Sequence, residues 1–349
     1  MATMKDIAAL AGVSVGTVNR VLNKSGYVSK ESAKSVLAAI EELNYKPNMF
    51  ARNLKLSRDL CFGVLIPNQT HDSNYWMLPA QGIVKAADEL KSQKVSIKFF
   101  EFDRYSYISF SLACDKILKS KLDGLVIAPV LSNVADEFIS KIPENLPYVF
   151  IDTIIPKSNC LSYIIQDSYV SGRLAAKLLD MVNHEPGTMA AIKIVPSGYF
   201  IDERIRGFRA YYEEHGPSRV KKYEAFKDKT TFDFDNVMDK IGEEINDLKG
   251  IFVTNSLTYY VSKYMKKHPS FPRVPVIGYN LIKENIEYMK EGLIEFLIHE
   301  KPEIQGYESI YKLYRSVMLK EDVPKKIMMP LEVITSEHLK YYEENFLKI

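Results

Sequence analysis

The sequence predicts a small all-α domain of three helices, opening on a helix-turn-helix, followed by an α/β body of two lobes. Three observations carry this. Up to about residue 56 apolar residues recur at helical spacing. From Leu60 onward short apolar runs alternate with amphipathic helices, the mark of parallel, doubly wound sheets. The chain's 349 residues exceed one ordinary domain, and the ~290 residues of the body suit two lobes better than one.

Thr3 is the N-cap of a first helix, Met4–Ala11, with Asp6 three residues on in the capping-box position. Gly12 ends that helix, because glycine takes a positive φ without strain. Ser14 caps a second helix from Val15 to about Leu22. The spacing Ala8, Gly12, Val18 supplies what a helix-turn-helix needs: a small residue at a close crossing, a glycine in the turn and a branched apolar residue sealing it. Val18, Val21 and Leu22 face one way, and Gly16, Asn19, Arg20 and Asn23 follow i, i+3, i+4, i+7 on the other. Such a face fits a DNA major groove, where arginine and amide side chains read base edges; the blander reading is the polar outside of a small bundle. Ser29 caps a third helix whose stripe is Ala33, Val36, Leu37, Ile40 and Leu43. Pro47 ends regular structure by driving Lys46 out of the helical region. Residues 48–56 allow two helical turns, too few to stand alone, so order there is expected to need DNA or a partner.

Charge divides in the same way. Residues 1–60 hold nine basic against five acidic side chains, and the rest 37 against 39. A basic head on a near-neutral body suits a polyanion contact at one end. Three cysteines without metal-like spacing read as reduced residues of a cytosolic protein. The start lacks an apolar signal core and no run of about 18 apolar residues occurs, so a cytoplasmic chain with no membrane association is expected.

In the body, strands are expected at Cys61–Ile66, Val95–Phe100, Gly124–Ala128, Tyr148–Ile151, Met189–Val195, Gly250–Thr254, Val274–Gly278, Glu295–Ile298 and Met328–Ile334. Helices between them include Gly82–Lys91, Ser168–Val182, Glu203–Glu213 and Ser256–Lys266. Phosphate-binding glycine loops, zinc-binding H-E-x-x-H and the G-x-S-x-G elbow are all missing from the sequence. No cofactor, no metal and no enzymatic activity are therefore expected. Asp152, Asn255, Asn280 and Glu300 each stand just past an expected strand, where open α/β sheets bind ligands.

Met4-Lys-Asp-Ile-Ala-Ala-Leu-Ala-Gly-Val-Ser14, Thr17-Val-Asn-Arg-Val-Leu-Asn23, Val28-Ser29 and Leu43-Asn-Tyr-Lys-Pro-Asn48 with Ala51-Arg-Asn-Leu54 resemble the lactose-repressor (LacI/GalR) family. The resemblance implies base reading by Val15, Gly16 and Arg20, and a Leu54 that wedges into a minor-groove step. Thr3, Ser14, Thr17, Asn19 and Asn23 complete the expected DNA contacts. Val15 and Gly16 are bare for such positions, which throws weight onto Arg20, Asn19 and shape readout.

The body resembles the periplasmic-binding-protein-like effector domain of that family. Matching segments include Asn74-Tyr-Trp76, Gly82-Ile83, Asp123-Gly-Leu-Val-Ile-Ala-Pro129, Phe150-Ile-Asp152, Arg204-Ile-Arg-Gly-Phe208, Phe252-Val-Thr-Asn255, Val276-Ile-Gly-Tyr-Asn280 and His299-Glu300 through Gly306. By resemblance the lobes exchange chain near residues 160, 292 and 322. The expected domains are then 1–46 for the DNA-binding head, 47–58 for a hinge, 59–160 with 292–322 for one lobe, and 161–291 with 323–349 for the other. Asn74, Trp76, Asp152, Arg204, Asn255, Asn280 and Glu300 are the expected effector contacts.

Each has a plainer alternative: Trp76 as lobe core rather than a stacking surface for a sugar face, Arg204 as partner of a neighbouring acid on its helix, Asp152 as a turn cap. Where the family usually has aspartate this chain has Asn280, and where it often has glutamine this chain has Glu300; a carboxylate only accepts hydrogen bonds, whereas an amide also donates. The implied protein is a homodimeric repressor of double-stranded operator DNA, governed by a small-molecule effector, a carbohydrate, between its lobes. Absent leucine heptads at Glu337–Ile349 speak against a C-terminal tetramer bundle. The alternative is a solute-binding protein of transport with no regulatory role.

Overall fold

Thr3 opens helix α1 (Met4–Ala11) with a complete capping box: its hydroxyl accepts from the Asp6 N–H at 3.4 Å, and its own N–H donates to Asp6 Oδ2 at 2.7 Å. Gly12 then turns left-handed at φ 64. Ser14 accepts from the Thr17 N–H at 3.1 Å and starts α2 (Val15–Leu22). Ser29 accepts from Ser32 at 3.1 Å and starts α3 (Lys30–Glu42). The computed structural model describes residues 3–22, 26–43, 59–183, 185–228 and 230–345, so Asn23, Leu54 and the expected hinge 47–58 lie outside the described residues.

Two compact units divide the chain, Met1–Ser57 and Arg58–Ile349. The first is built on Ile7, Ala8, Val18, Val36 and Ala39, with Val21, Leu22, Ile40 and Leu43 packed against them. Leu37, expected on the inner stripe, is 59% exposed, and Ala39 takes the inward place. The reason is angular: α3 covers two short helices with a narrow face, and Leu37 lies about 100° round from Val36.

The second unit runs β1 (Leu60–Pro67), α4 (Met77–Glu89), β2 (Val95–Phe102), α5 (Tyr107–Leu118), β3 (Gly124–Ile127), α6 (Ser132–Lys141), β4 (Tyr148–Ile151), β5 (Ser162–Ile165), α7 (Ser168–Val182), β6 (Thr188–Val195), α8 (Tyr199–His215) and β7 (Arg219–Phe226). It continues with α9 (Phe234–Glu244), β8 (Leu248–Val253), α10 (Tyr259–Lys267), β9 (Val276–Tyr279), α11 (Lys283–Lys290), β10 (Phe296–His299), α12 (Pro302–Tyr314), β11 (Lys326–Met328), β12 (Glu332–Ile334) and α13 (Leu339–Asn345). Two six-stranded sheets result, ordered β11-β5-β4-β3-β1-β2 and β12-β10-β9-β8-β6-β7. Every pairing is parallel except β10 with β12.

This order corrects the expected lobe boundaries. β5 lies in the first sheet beside β4, β10 in the second beside β9, and β11 in the first beside β5. The chain therefore changes lobes at 166–167, 300–301 and 329–331 rather than near 160, 292 and 322. Ladder pairing decides membership, and the chain runs from β4 to β5 with no helix between them. β7 was not expected either; its alternating charges, Arg219, Lys221 and Lys222, suit an edge strand and hide the apolar pattern. The run Met328–Ile334 divides into β11 and β12 in different sheets, and Pro330, with no N–H for a ladder, stands in the break.

Each lobe is locked by a helix pair that crosses on glycines. A Cβ on Gly82 of α4 would fall 1.8 Å from the Glu303 carbonyl of α12, and one on Gly306 of α12 would fall 2.1 Å from that of Pro79. In the other lobe Gly172 of α7 meets Arg204 O at 1.9 Å and Gly207 of α8 meets Tyr169 O at 2.0 Å, measured the same way.

Candidate functional site

On α2 the faces separate as the periodicity predicts. Val18 is fully buried while Val15, Gly16, Asn19 and Arg20 are exposed. Ser14 and Thr17 share a hydroxyl contact of 3.0 Å, and Arg20 Nε donates to the Gly16 carbonyl at 3.3 Å, which holds the guanidinium along the outer face. Thr3 serves as the cap of α1, where its bonds to Asp6 also hold that carboxyl below its ordinary range. The surface joins a guanidinium, an amide and a bare backbone at Gly16.

In the body, the strand ends gather a buried polar set. Past β10, Glu300 accepts from both Arg204 (Nη2 to Oε1) and Asn280 Nδ2, the latter at 2.8 Å, and its own N–H donates to Asn280 Oδ1 at 3.2 Å. Asn280, past β9, reaches this position with a left-handed φ of 67, a conformation asparagine tolerates better than most residues. Arg204 also donates to the Thr254 carbonyl at 2.7 Å and lies 3.7 Å from the Tyr279 ring centroid, a cation–π contact. The crossing at Gly172 and Gly207 fixes α8 and with it the stem of Arg204. Arg204 is thus the buried partner of an acid, although that acid is on another element and not on its own helix. Its Nε is buried without a hydrogen-bond partner.

Asp152, past β4, also has φ 67; its N–H donates to Gln305 Oε1 at 2.9 Å, and its Oδ1 accepts from Tyr75 at 2.8 Å. Its Oδ2 is buried and unpartnered. Burial, then the Glu300 charge, pushes the Asp152 carboxyl up to about 7. Burial and the neighbouring carboxylates likewise raise the Tyr75 phenol. Asn255, past β8, is buried and turns its side chain back to accept from the Leu257 N–H at 3.0 Å.

Asp72, Arg104 and Tyr105 join the set unpredicted. Asp72 accepts from Arg104 Nη1, from Tyr105 at 2.6 Å and from Trp76 Nε1 at 3.2 Å. Burial opposes its ionisation, but Arg104 and the other donors outweigh that and its carboxyl stays below the usual range. Asp72, Ser73 and Asn74 are three successive non-glycine residues with φ of 52, 56 and 64, a strained turn of the kind that clusters at ligand sites. Trp76 is buried in the first lobe's apolar cluster, edge-on to Tyr75 at 5.1 Å. Asn74 is exposed on the turn, and Asp72 is the residue there that points inward. Arg104 follows β2 as Asp152 follows β4, so the strand-end rule extended to β2 finds it; Asp72 had no such signal. Between lobes, Ser73 Oγ meets Tyr259 OH at 3.0 Å, and Lys227 lies over the Tyr105 ring at 4.9 Å. Among the described residues no cluster of metal-ligating side chains occurs, and no helix is long and apolar enough to cross a membrane.

Comparison with known proteins gives two family matches: "Bacterial regulatory proteins, lacI family" over residues 3–48 and "Periplasmic binding protein domain" over 62–321. The chain is similar to the ribose operon repressor of Lactococcus lactis, 23% identical over 97% of this chain and 98% of that one. It is 27% identical to the ribose operon repressor of Escherichia coli K12 over 81% and 84%. A structure from Bacteroides fragilis, assigned as a LacI transcriptional regulator, superposes with a TM-score of 0.76 at 26% identity, over 82% of this chain and all of that one.

Proposed function

We infer that this chain, which belongs to the lacI family of bacterial regulatory proteins and builds its body on the periplasmic binding protein domain, is a DNA-binding transcription repressor controlled by a carbohydrate bound between the two lobes. One observation carries the reading: the same chain presents an exposed Arg20–Asn19 face over a buried Val18, and a buried polar set at parallel strand ends. A transport protein needs only the second of these.

Two of the buried polar atoms that lack a partner, one on Asp152 and one on Arg204, describe the effector. Asp152 Oδ2 accepts and Arg204 Nε donates, so hydroxyl groups, which do both, suit them. Arg204 and Arg104 are already matched by Glu300 and Asp72, which favours a neutral polyol. Since two long relatives are named ribose operon repressors, D-ribose heads the test panel.

A single helix-turn-helix buries little surface on DNA, and pairing doubles it. We therefore read the protein as a homodimer on a pseudo-palindromic operator, joined through the body. Supporting this, α5 beside the edge strand β2 exposes Tyr107, Ile108 and Leu112, Ile108 at 75%, an apolar surface of the kind that marks an interface.

The test uses the full chain. Thermal shift against neutral sugars, sugar acids and sugar phosphates should raise the melting temperature with a neutral sugar. Duplexes selected from a random pool should then bind at fixed salt, a symmetric site more tightly than its half, and the sugar should change that affinity. Failure to retain any duplex at low salt would end the regulator reading; melting shifts only with sugar phosphates would end the polyol assignment.

A further inference from the structure

We propose that Lys227 and Tyr259 of the second lobe are two catches that hold the lobes shut on the side away from the chain exchanges, and so set how long a sugar stays between them. The sugar rests on the function proposed above, whereas the catches are contacts of the chain itself. Strand order places them. The three exchanges join β5, β10, β11 and β12, which form one edge of each sheet, and β2 and β7 form the opposite edges. At strand spacings of about 4.8 Å the far edges stand about 20 Å from the exchanges, so an opening of about 15° parts them by about 5 Å and breaks any direct contact there.

The first catch joins those far edges, since Lys227 follows β7 and Tyr105 follows β2. The Lys227 ammonium lies 4.9 Å from the Tyr105 ring centroid across the lobes and 5.3 Å from that of Phe232 on its own side, a cation held between two rings. A tight turn presents it. Asp228 accepts from the N–H groups of Thr230 and Thr231, both at 2.7 Å, and its own N–H donates to the Thr231 carbonyl at 3.0 Å. Phe232 then returns antiparallel to Lys227, whose N–H donates to the Val195 carbonyl at 2.9 Å and ties the turn to β6.

The second catch is the 3.0 Å contact of the Tyr259 hydroxyl, past β8, with Ser73, past β1, the neighbour of edge strand β2. Rings link the two catches: Tyr259 lies 4.4 Å from Tyr260, and Tyr260 lies 4.6 Å from Phe232. Both catches also connect to the buried polar set. Tyr105 donates to Asp72 Oδ1 at 2.6 Å, and Ser73 is the next residue along the chain. The Tyr259 N–H donates to Asn285 Oδ1 at 2.9 Å, and Asn285 Nδ2 donates to the Asn280 carbonyl at 3.0 Å. Contacts made only in the closed state slow its opening and leave entry through the open state unchanged, so they act on release.

Hydrogen exchange in the sugar-free full chain tests the catches. Lys227→Met keeps the length and removes the charge, and Tyr259→Phe keeps the ring and removes the hydroxyl. In the double variant the amides of 72–76 and 104–105 should exchange at least threefold faster, although both substitutions lie in the other lobe. The amides of β3 and β4, in the core of the same first lobe, should keep the parent's rates. Stopped-flow release of D-ribose should be at least tenfold faster, with association within threefold of the parent's. Unchanged exchange at 72–76 and 104–105, or equal acceleration throughout the lobe, would overturn the catches. Faster exchange there with D-ribose release unchanged would overturn their hold on the sugar. A parent that binds no neutral sugar would end the effector reading instead, while the exchange result still decides the catches.

Discussion

Asp152 and Arg204 carry the chemistry of the proposed sugar site, and their environments predict its behaviour. With its carboxyl raised to about 7 in the fold against about 4 unfolded, Asp152 holds extra proton affinity when native. Its contribution to stability is present below about pH 4 and is lost as pH rises to about 7. A hydroxyl that donates to Oδ2 prefers the ionised form. Sugar affinity should therefore rise about tenfold from pH 6 to pH 8, and Asp152→Asn should flatten that profile in calorimetric titrations; a profile already flat in the parent would remove Asp152 from the contact set. Arg204→Ala alone leaves Glu300 charged and unpaired in the interior, at a cost of about 3–5 kcal/mol. The double change Arg204→Ala with Glu300→Ala is the cleaner probe: it should keep operator binding and lose the sugar response. Asp152, Asn255, Asn280 and Glu300 were legible because a parallel sheet delivers its carboxyl ends to one crevice. Asp72 with Arg104 was not, since the pair spans 32 residues and rests on a turn no propensity predicts.

Among the elements, helices with clean caps were read to the residue. α1 and α7 match their expected spans, because Thr3 and Gly12 bound the first and Asp167 caps the second, accepting from the Val170 N–H at 3.0 Å. Thr3→Ala should lower the head's stability by about 1 kcal/mol, measurable as earlier loss of helicity on heating. Strands were less legible where they lie at edges or split: β7 hides its pattern under lysines, and β5 is four residues long. The glycine crossings make a sharper prediction. Gly306→Ala puts a methyl group 2.1 Å from the Pro79 carbonyl, so α4 and α12 must separate. A loss of about 2–3 kcal/mol, or roughly 5–8 °C in melting temperature, is expected, and an unchanged melting temperature would mean the crossing is looser than described.

For the whole molecule, control of DNA by sugar is an energy difference between states. A hundredfold change in operator affinity needs about 2.7 kcal/mol of coupling, within reach of a few hydrogen bonds made in only one state. Replacing Ile108 and Leu112 with aspartate should halve the particle mass seen in sedimentation and weaken operator binding, while the sugar still raises the melting temperature. If the mass is unchanged, the subunits meet elsewhere.

The three chain exchanges, at 166–167, 300–301 and 329–331, have a mechanical corollary. A single tether would let one lobe swivel freely about the other, whereas three side by side resist twist and permit bending about one line. The body can then answer its sugar with one degree of freedom, much as a door answers its latch, and whatever is attached to it receives a yes or a no.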